Sequence, residues 1–325
     1  MNRATWEHSS VGVERLDRSA RIGLGLAAVG RPGYINLGRA RDLPGERSVE
    51  ELRRRCVGLL DEAYRRGVRY MDVARSYGRA EEFLGGWLPD YPDVVVGSKW
   101  GYEYTAGWRV DADVHESKDH GVDRYERQLA ETHDLLGDRL DLYQIHSLTA
   151  DSGALKDPAL HERLAALAHA GVTVGFSTSG PAQPEVIRAA LDVEVDGEPL
   201  FGSVQSTWNV LEQSAGPALA EAHERGRFVI VKEAMANGRL SGSGAGMPAE
   251  LAEVGASRGA SEDAVALAAV LAQPWVDVVL SGAATVDQLV SNLTARKLDL
   301  TSVPLDYYVE PAAEYWGIRA SLPWH

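Results

Sequence analysis

One unit recurs along this chain. An apolar run of about four to six residues is followed by a longer stretch whose apolar residues fall at helical spacing. The apolar runs lie at 22–26, 68–71, 94–97, 140–145, 172–176, 203–205, 228–231 and 276–280. Helical patterns occupy 49–66, 80–87, 122–136, 158–170, 183–191, 214–225, 261–272 and 286–294. Several joins use the same device, a glycine between helix and strand, as in Arg66-Gly67-Val68 and Ala170-Gly171-Val172. Glycine accepts the left-handed conformation that ends a helix, so these read as helix-to-strand turns. Eight strand-then-helix units predict a parallel sheet closed into a (β/α)8 barrel of the TIM type.

Such a barrel takes about 250 residues, and this chain has 325. No Pro-, Ser- or Gly-rich tract is long enough to separate two domains. The expectation is therefore one α/β domain over 1–325. It would carry a lead-in at 1–20, a long rim loop at 101–121 after the third strand, and an extension at 303–325 with an extra helix near 305–316.

Charge narrows the partners. Lys and Arg number 33 against 47 Asp and Glu, a net charge of −14. Nucleic acid calls for a basic face and anionic membranes attract basic segments, so neither partner is expected. No apolar stretch approaches the about 20 residues of a membrane span, and residues 1–10 lack the apolar run of a signal peptide. The lone cysteine, Cys56, cannot close an internal disulfide; it falls inside a helical pattern and reads as a small core residue. These features predict a cytoplasmic protein acting on a small molecule.

In a barrel of this type the functional groups gather at the C-terminal ends of the strands. Asp72 follows the second apolar run, with Tyr77 five residues on; Ser98 and Lys99 follow the third, and His146 the fourth. A tyrosine hydroxyl protonates a developing alkoxide if its acidity is brought toward neutral, which a nearby ammonium favours. A carboxylate keeps that ammonium charged in a pocket. A neutral imidazole orients a carbonyl oxygen. Tyr77, Lys99, Asp72 and His146 match these four roles. No side chain carries a hydride, so the reaction would need a nicotinamide cofactor. His115, Glu116, Asp119 and His120 lie in the polar rim loop without an organised second pair of ligands, so no metal is expected.

The segment Tyr70-Met71-Asp72-Val73-Ala74-Arg75-Ser76-Tyr77-Gly78, followed by Glu81-Glu82-Phe83-Leu84-Gly85, resembles the signature of the aldo-keto reductases. Val96-Gly97-Ser98-Lys99 and Asp141-Leu142-Tyr143-Gln144-Ile145-His146 are similar to that family's lysine and histidine motifs, in the same order. The resemblance runs from about Ile22 to Leu293. It implies an NAD(P)H-dependent oxidoreductase interconverting carbonyls and alcohols, with Tyr77 as general acid/base, Lys99 and Asp72 tuning it, and His146 orienting the substrate.

The resemblance also implies cofactor positions. Ser177 and Gln205 match residues that hold the nicotinamide amide, while Thr178 stands where Asn is usual. Gly25 and Gly282 belong to the same set, and Thr285, Gln288 and Asn292 match the adenosine side. Two departures stand out. Lys232-Glu233-Ala234-Met235 replaces a stacking aromatic followed by Ser-Pro-Leu, which makes Lys232 a candidate cofactor contact at the pyrophosphate, and Ala284 falls where a basic residue for the 2′-phosphate is common. NADP(H) is expected ahead of NAD(H). Tyr34, Trp100, Trp108 and Trp208 are the aromatic candidates for shaping a pocket for a sugar-like, aryl or polycyclic carbonyl compound. Two rival readings fit the same residues: a redox-neutral dehydratase or epimerase that retains its cofactor, and a non-catalytic subunit that senses the nucleotide.

Overall fold

Parallel pairing closes eight strands into a ring. The computed structural model describes residues 11–14, 16, 21–43, 45–242, 244 and 246–324; most of the lead-in expected at 1–20 lies outside them. In chain order the strands are β1 (Ile22–Gly25), β2 (Tyr70–Asp72), β3 (Val95–Trp100), β4 (Tyr102–Tyr104), β5 (Glu116–Lys118), β6 (Leu142–Leu148), β7 (Thr173–Thr178), β8 (Glu194–Val195), β9 (Glu198–Pro199), β10 (Ser203–Thr207), β11 (Phe228–Lys232) and β12 (Val278–Ser281). The ring runs β1-β12-β11-β10-β7-β6-β3-β2, every neighbour parallel, and so is a (β/α)8 barrel. Strands β4 and β5 form an antiparallel hairpin outside the ring, as do β8 and β9.

Helices cover the barrel because each crossover between parallel strands needs one. Helices Ala80–Trp87, Val122–Leu136 and Gln183–Leu191 coincide with the predicted patterns. Helix Val49–Arg65 is capped by Ser48, whose hydroxyl accepts from the Glu51 N–H at 3.2 Å. Cys56 is buried there, which pushes its thiol up to about 12. The C-terminal expectation splits into a short turn, Asp306–Tyr308, and helix Ala312–Ala320. Helix Ala249–Ser257 has no counterpart in the predicted pattern, since its small residues give little periodic contrast.

Most barrel strands end one to three residues later than their apolar runs. Asp72, Lys99, His146, Thr178 and Lys232 are strand residues; all but His146, which stands at a bulge of β6 between Ile145 and Leu148, are paired in the sheet. Alternation therefore decides their direction. Tyr70, Val95, Leu142, Ile230, Val278 and Leu280 fill the barrel interior, with Val13 and Leu16 at its N-terminal end. Two residues further along the strands, the same inward parity gives Asp72, Gly97, Gln144 and Lys232; four residues along it gives Lys99 and His146. The interior thus passes from apolar to amide to charged toward the C-terminal mouth.

Candidate active site

Asp72 and Lys99 meet at that mouth. The Lys99 ammonium donates to Asp72 Oδ1 and, at 2.9 Å, to the carbonyl of Val73; neither side chain has more than a trace of solvent contact. Asp72 Oδ2 accepts from Gln205 Nε2 at 2.8 Å. Gln205 also reaches Gln144 Oε1 at 3.3 Å, and Gln144 Nε2 reaches Ser203 Oγ at 3.1 Å. This amide layer fixes the carboxylate from below.

Tyr77 lies on the turn after β2. That turn is tied to the next strand by two backbone bonds, Val73 N–H to the Gly97 carbonyl at 2.9 Å and Arg75 N–H to the Lys99 carbonyl at 3.0 Å. Glu81, buried, holds it from outside. Its carboxylate accepts from Arg75, from Ser98 Oγ at 2.5 Å and from Thr132 Oγ1 at 2.9 Å. Gly30 makes room for it: a Cβ there would stand 2.3 Å from the Tyr77 carbonyl oxygen.

The Lys99 ammonium lies 5.0 Å from the centre of the Tyr77 ring. His146 packs edge-on to the same ring, with centroids 5.6 Å apart and planes at 80°. Above it, Arg31 stands 5.3 Å from the ring centre. Burial raises the Tyr77 phenol well above its usual range; Asp72 adds to this and Arg31 opposes it. This corrects the expectation of a phenol made more acidic. With Lys99 already matched by Asp72, the tyrosine is held protonated, the state an acid must start in. Burial and the charge of Lys99 push His146 well below its usual value, so its imidazole is neutral at neutral pH.

Asp72, Tyr77, His146, Gln205 and Lys232 line one cavity of about 710 Å³. Gly25, Gly282, Gln288, Asn292 and Tyr34 also line it, as expected from the sequence. Gly282 faces open space, with nothing within 4 Å of where a Cβ would stand. Asp263 and Asp287 line the same end as Gln288 and Asn292.

Other candidates point elsewhere. Trp100 shares the outward parity of Val96 and Ser98 and is buried edge-on to Tyr125, at 5.1 Å, and His120. Trp208 continues the outward parity of Val204 and Ser206 and packs on Trp275 at 5.8 Å. Trp108 donates from its indole to the Arg47 carbonyl at 2.8 Å. None of the three lines the cavity. Thr178 points outward and bonds Ser206 Oγ at 2.7 Å. Ser177 Oγ shares the inward parity of its partner Gln205 but accepts from the Ser147 N–H at 2.8 Å and is not among the cavity-lining residues. Thr285 caps helix Val286–Leu293, accepting from the Gln288 N–H at 3.2 Å. Its hydroxyl therefore serves the fold.

The wall holds residues that the sequence reading left out. Arg31 pairs with Glu116 of β5 at 2.5 Å and donates to the Ser76 carbonyl at 2.9 Å. Trp324 stacks on His115, with centroids 4.1 Å apart and planes at 4°, and lies beneath Arg31 at 4.8 Å. The rim loop thus forms a hairpin whose His115 and Glu116 engage a tryptophan and an arginine. Arg319 grips Glu233 through Nε at 3.0 and 2.9 Å. Burial would raise the Glu233 carboxyl, but Arg319 and Lys232 outweigh it and hold it at about 2. Nothing beside Arg31 or Arg319 in the sequence signals these pairs; only Glu233 adjoins another charge, Lys232. Lys232 donates to Thr207 Oγ1 at 2.9 Å and lies 4.0 Å from Glu233; burial lowers it to about 8, against the pull of Glu233. Among the described residues no group of three His, Cys, Asp or Glu could hold a metal ion, and no helix is long and apolar enough to cross a membrane.

Comparison with known proteins adds the lineage. A sequence model described as the Aldo/keto reductase family matches residues 21–308. No curated protein matches the sequence significantly. Among solved structures, the glycerol dehydrogenase of Gluconobacter oxydans is similar at 20% identity, covering 93% of this chain and 90% of its own, with a TM-score of 0.66. An aldo/keto reductase from Klebsiella pneumoniae in complex with NADP and acetate gives 20% identity, 89% of each chain and a TM-score of 0.65. A holo-form aldo-keto reductase from Bacillus halodurans gives 20% identity, 92% and 91% coverage, and a TM-score of 0.63.

Proposed function

This chain belongs to the aldo/keto reductase family, and on that premise we propose that it interconverts a carbonyl compound and its alcohol with a nicotinamide dinucleotide, Tyr77 giving and taking the proton. The observation that carries this reading is the convergence of Asp72, Tyr77 and His146 on one cavity, with Lys99 buried against Asp72 beneath the tyrosine ring.

The cavity suits the cofactor in size and lining. Its volume is within the usual range for ligand sites, and Gly282 leaves its wall open. Gly25, Gln205, Gly282, Gln288 and Asn292 would hold the dinucleotide, with Lys232 beside it in the same cavity. When bound, it supplies a hydride to the carbonyl carbon or accepts one from the alcohol. In reduction the Tyr77 hydroxyl gives its proton to the carbonyl oxygen. The phenolate left behind lies near the Lys99 ammonium, which Asp72 holds in place. Neutral His146 donates one N–H to the same oxygen and fixes its direction. Because burial holds the phenol protonated, reduction should keep its rate into the alkaline range, while oxidation, which needs the phenolate, should rise with pH.

NADP(H) is proposed ahead of NAD(H), supported by the family and by the Klebsiella structures with NADP and NADPH. Ala284 offers a 2′-phosphate no guanidinium. A fluorescence titration with NADPH and NADH side by side, followed by a carbonyl panel, tests the reading. Saturable binding, tighter for NADPH, and consumption on at least one aldehyde or ketone are expected. Tight binding without consumption on any carbonyl would contradict it and favour a redox-neutral or sensing role.

A further inference from the structure

Two ammonium groups stand at the barrel mouth, and they are compensated unequally. Lys99 is in contact with Asp72. Lys232 has a hydroxyl, Thr207 Oγ1, at 2.9 Å, and its nearest carboxylate, Glu233, is 4.0 Å away. That carboxylate is already taken by Arg319 through three bonds from Nε and Nη2 and by Thr207 Oγ1 at 3.1 Å. Lys232 ends β11 with the inward parity of Ile230 and lines the same cavity as Tyr77. Its charge is felt at His146, and those of Lys99 and Asp72 are felt at Lys232. It is therefore part of the catalytic cluster and carries the charge least cancelled there.

A hydride and the Tyr77 proton must add to the two ends of one C=O bond. The ring that gives the hydride thus sits within a few ångströms of that bond. In its reduced state the ring is neutral; in its oxidised state it carries one positive charge. At an effective dielectric of about 20, two like unit charges within about 10 Å weaken binding by more than tenfold. We propose that Lys232 makes this chain hold the reduced cofactor more tightly than the oxidised one, and so hastens release of oxidised cofactor after a carbonyl has been reduced. The inference rests on the oxidoreductase reading above.

Calorimetric titration of NADPH and of NADP+ at pH 7 tests it without turnover, in wild type, Lys232→Arg and Lys232→Met. Wild type and Lys232→Arg are expected to bind NADPH about tenfold or more tighter than NADP+, and Lys232→Met to bind both alike. A wild-type ratio near one overturns the proposal, whatever the variants do. So does a ratio that survives in Lys232→Met, or an equal weakening of both forms, which a contact to the pyrophosphate would give. Failure of wild type to bind either form sinks the oxidoreductase reading, and the inference with it.

Discussion

Lys99 has no solvent contact, and its ammonium is in direct contact with the Asp72 carboxylate and the Val73 carbonyl. Removing one partner of a buried pair leaves the other charge stranded, at a cost of about 3–5 kcal/mol. Asp72→Asn should therefore lower the melting temperature as well as turnover, whereas Lys99→Met should cost less stability for a similar loss of rate. Thermal unfolding of the two variants checks this; equal, unchanged melting temperatures would mean that the pair is not buried as described. The same residues show how far a sequence could be read. Asp72, Tyr77, Lys99 and His146 were legible because each follows an apolar run. Trp100, Trp208 and Thr178 were misplaced for one reason. The strands extend past their apolar runs, so side chains taken as rim residues obey strand alternation, and these three face outward. Parity counted from Lys99, Ser177 and Gln205 would have excluded all three.

At the scale of elements, the barrel followed from the eightfold alternation, but the lid over the tyrosine did not. The hairpin of β4 and β5 carries polar and aromatic residues without a buried face, so its strands leave no apolar trace. Its contribution is long-range: Glu116 holds Arg31 from the loop after β1, and His115 holds Trp324 near the C-terminus. Trp324 lines the cavity where it packs between the loop of Arg31 and Tyr34 and the hairpin residue His115, the side on which the proposed function places the carbonyl compound. Trp324→Ala should raise KM for carbonyl substrates several-fold while leaving the affinity for NADPH unchanged. Steady-state kinetics beside a cofactor titration would separate these, and a loss confined to cofactor binding would place the tryptophan at the wrong end of the cavity.

For the whole molecule, acid sensitivity has an identifiable source in the same hairpin region. His120 bonds the His146 carbonyl through Nε2 at 2.9 Å and Ser152 Oγ through Nδ1 at 2.8 Å. Burial, helped by Lys118 and opposed by that carbonyl bond, Asp119 and Asp151, lowers it from 6.5 to about 4. The unfolded chain takes up a proton near 6.5 and the folded one does not until about 4. Stability should thus fall as pH drops through that window, by at most about 3 kcal/mol. Chemical denaturation from pH 7 to 4 should show a shallower fall in His120→Gln; an identical slope would assign the loss to other groups.

In the proposed reaction Tyr77 supplies the proton while the rest of the site holds the reactants. Single-turnover decay of bound NADPH absorbance, in wild type and in Tyr77→Phe with a carbonyl that wild type consumes, measures this directly. The phenylalanine variant should bind NADPH with unchanged affinity and transfer its hydride slower by several powers of ten. Hydride transfer at the wild-type rate from equally bound NADPH would contradict the assignment of the acid and the mechanism built on it.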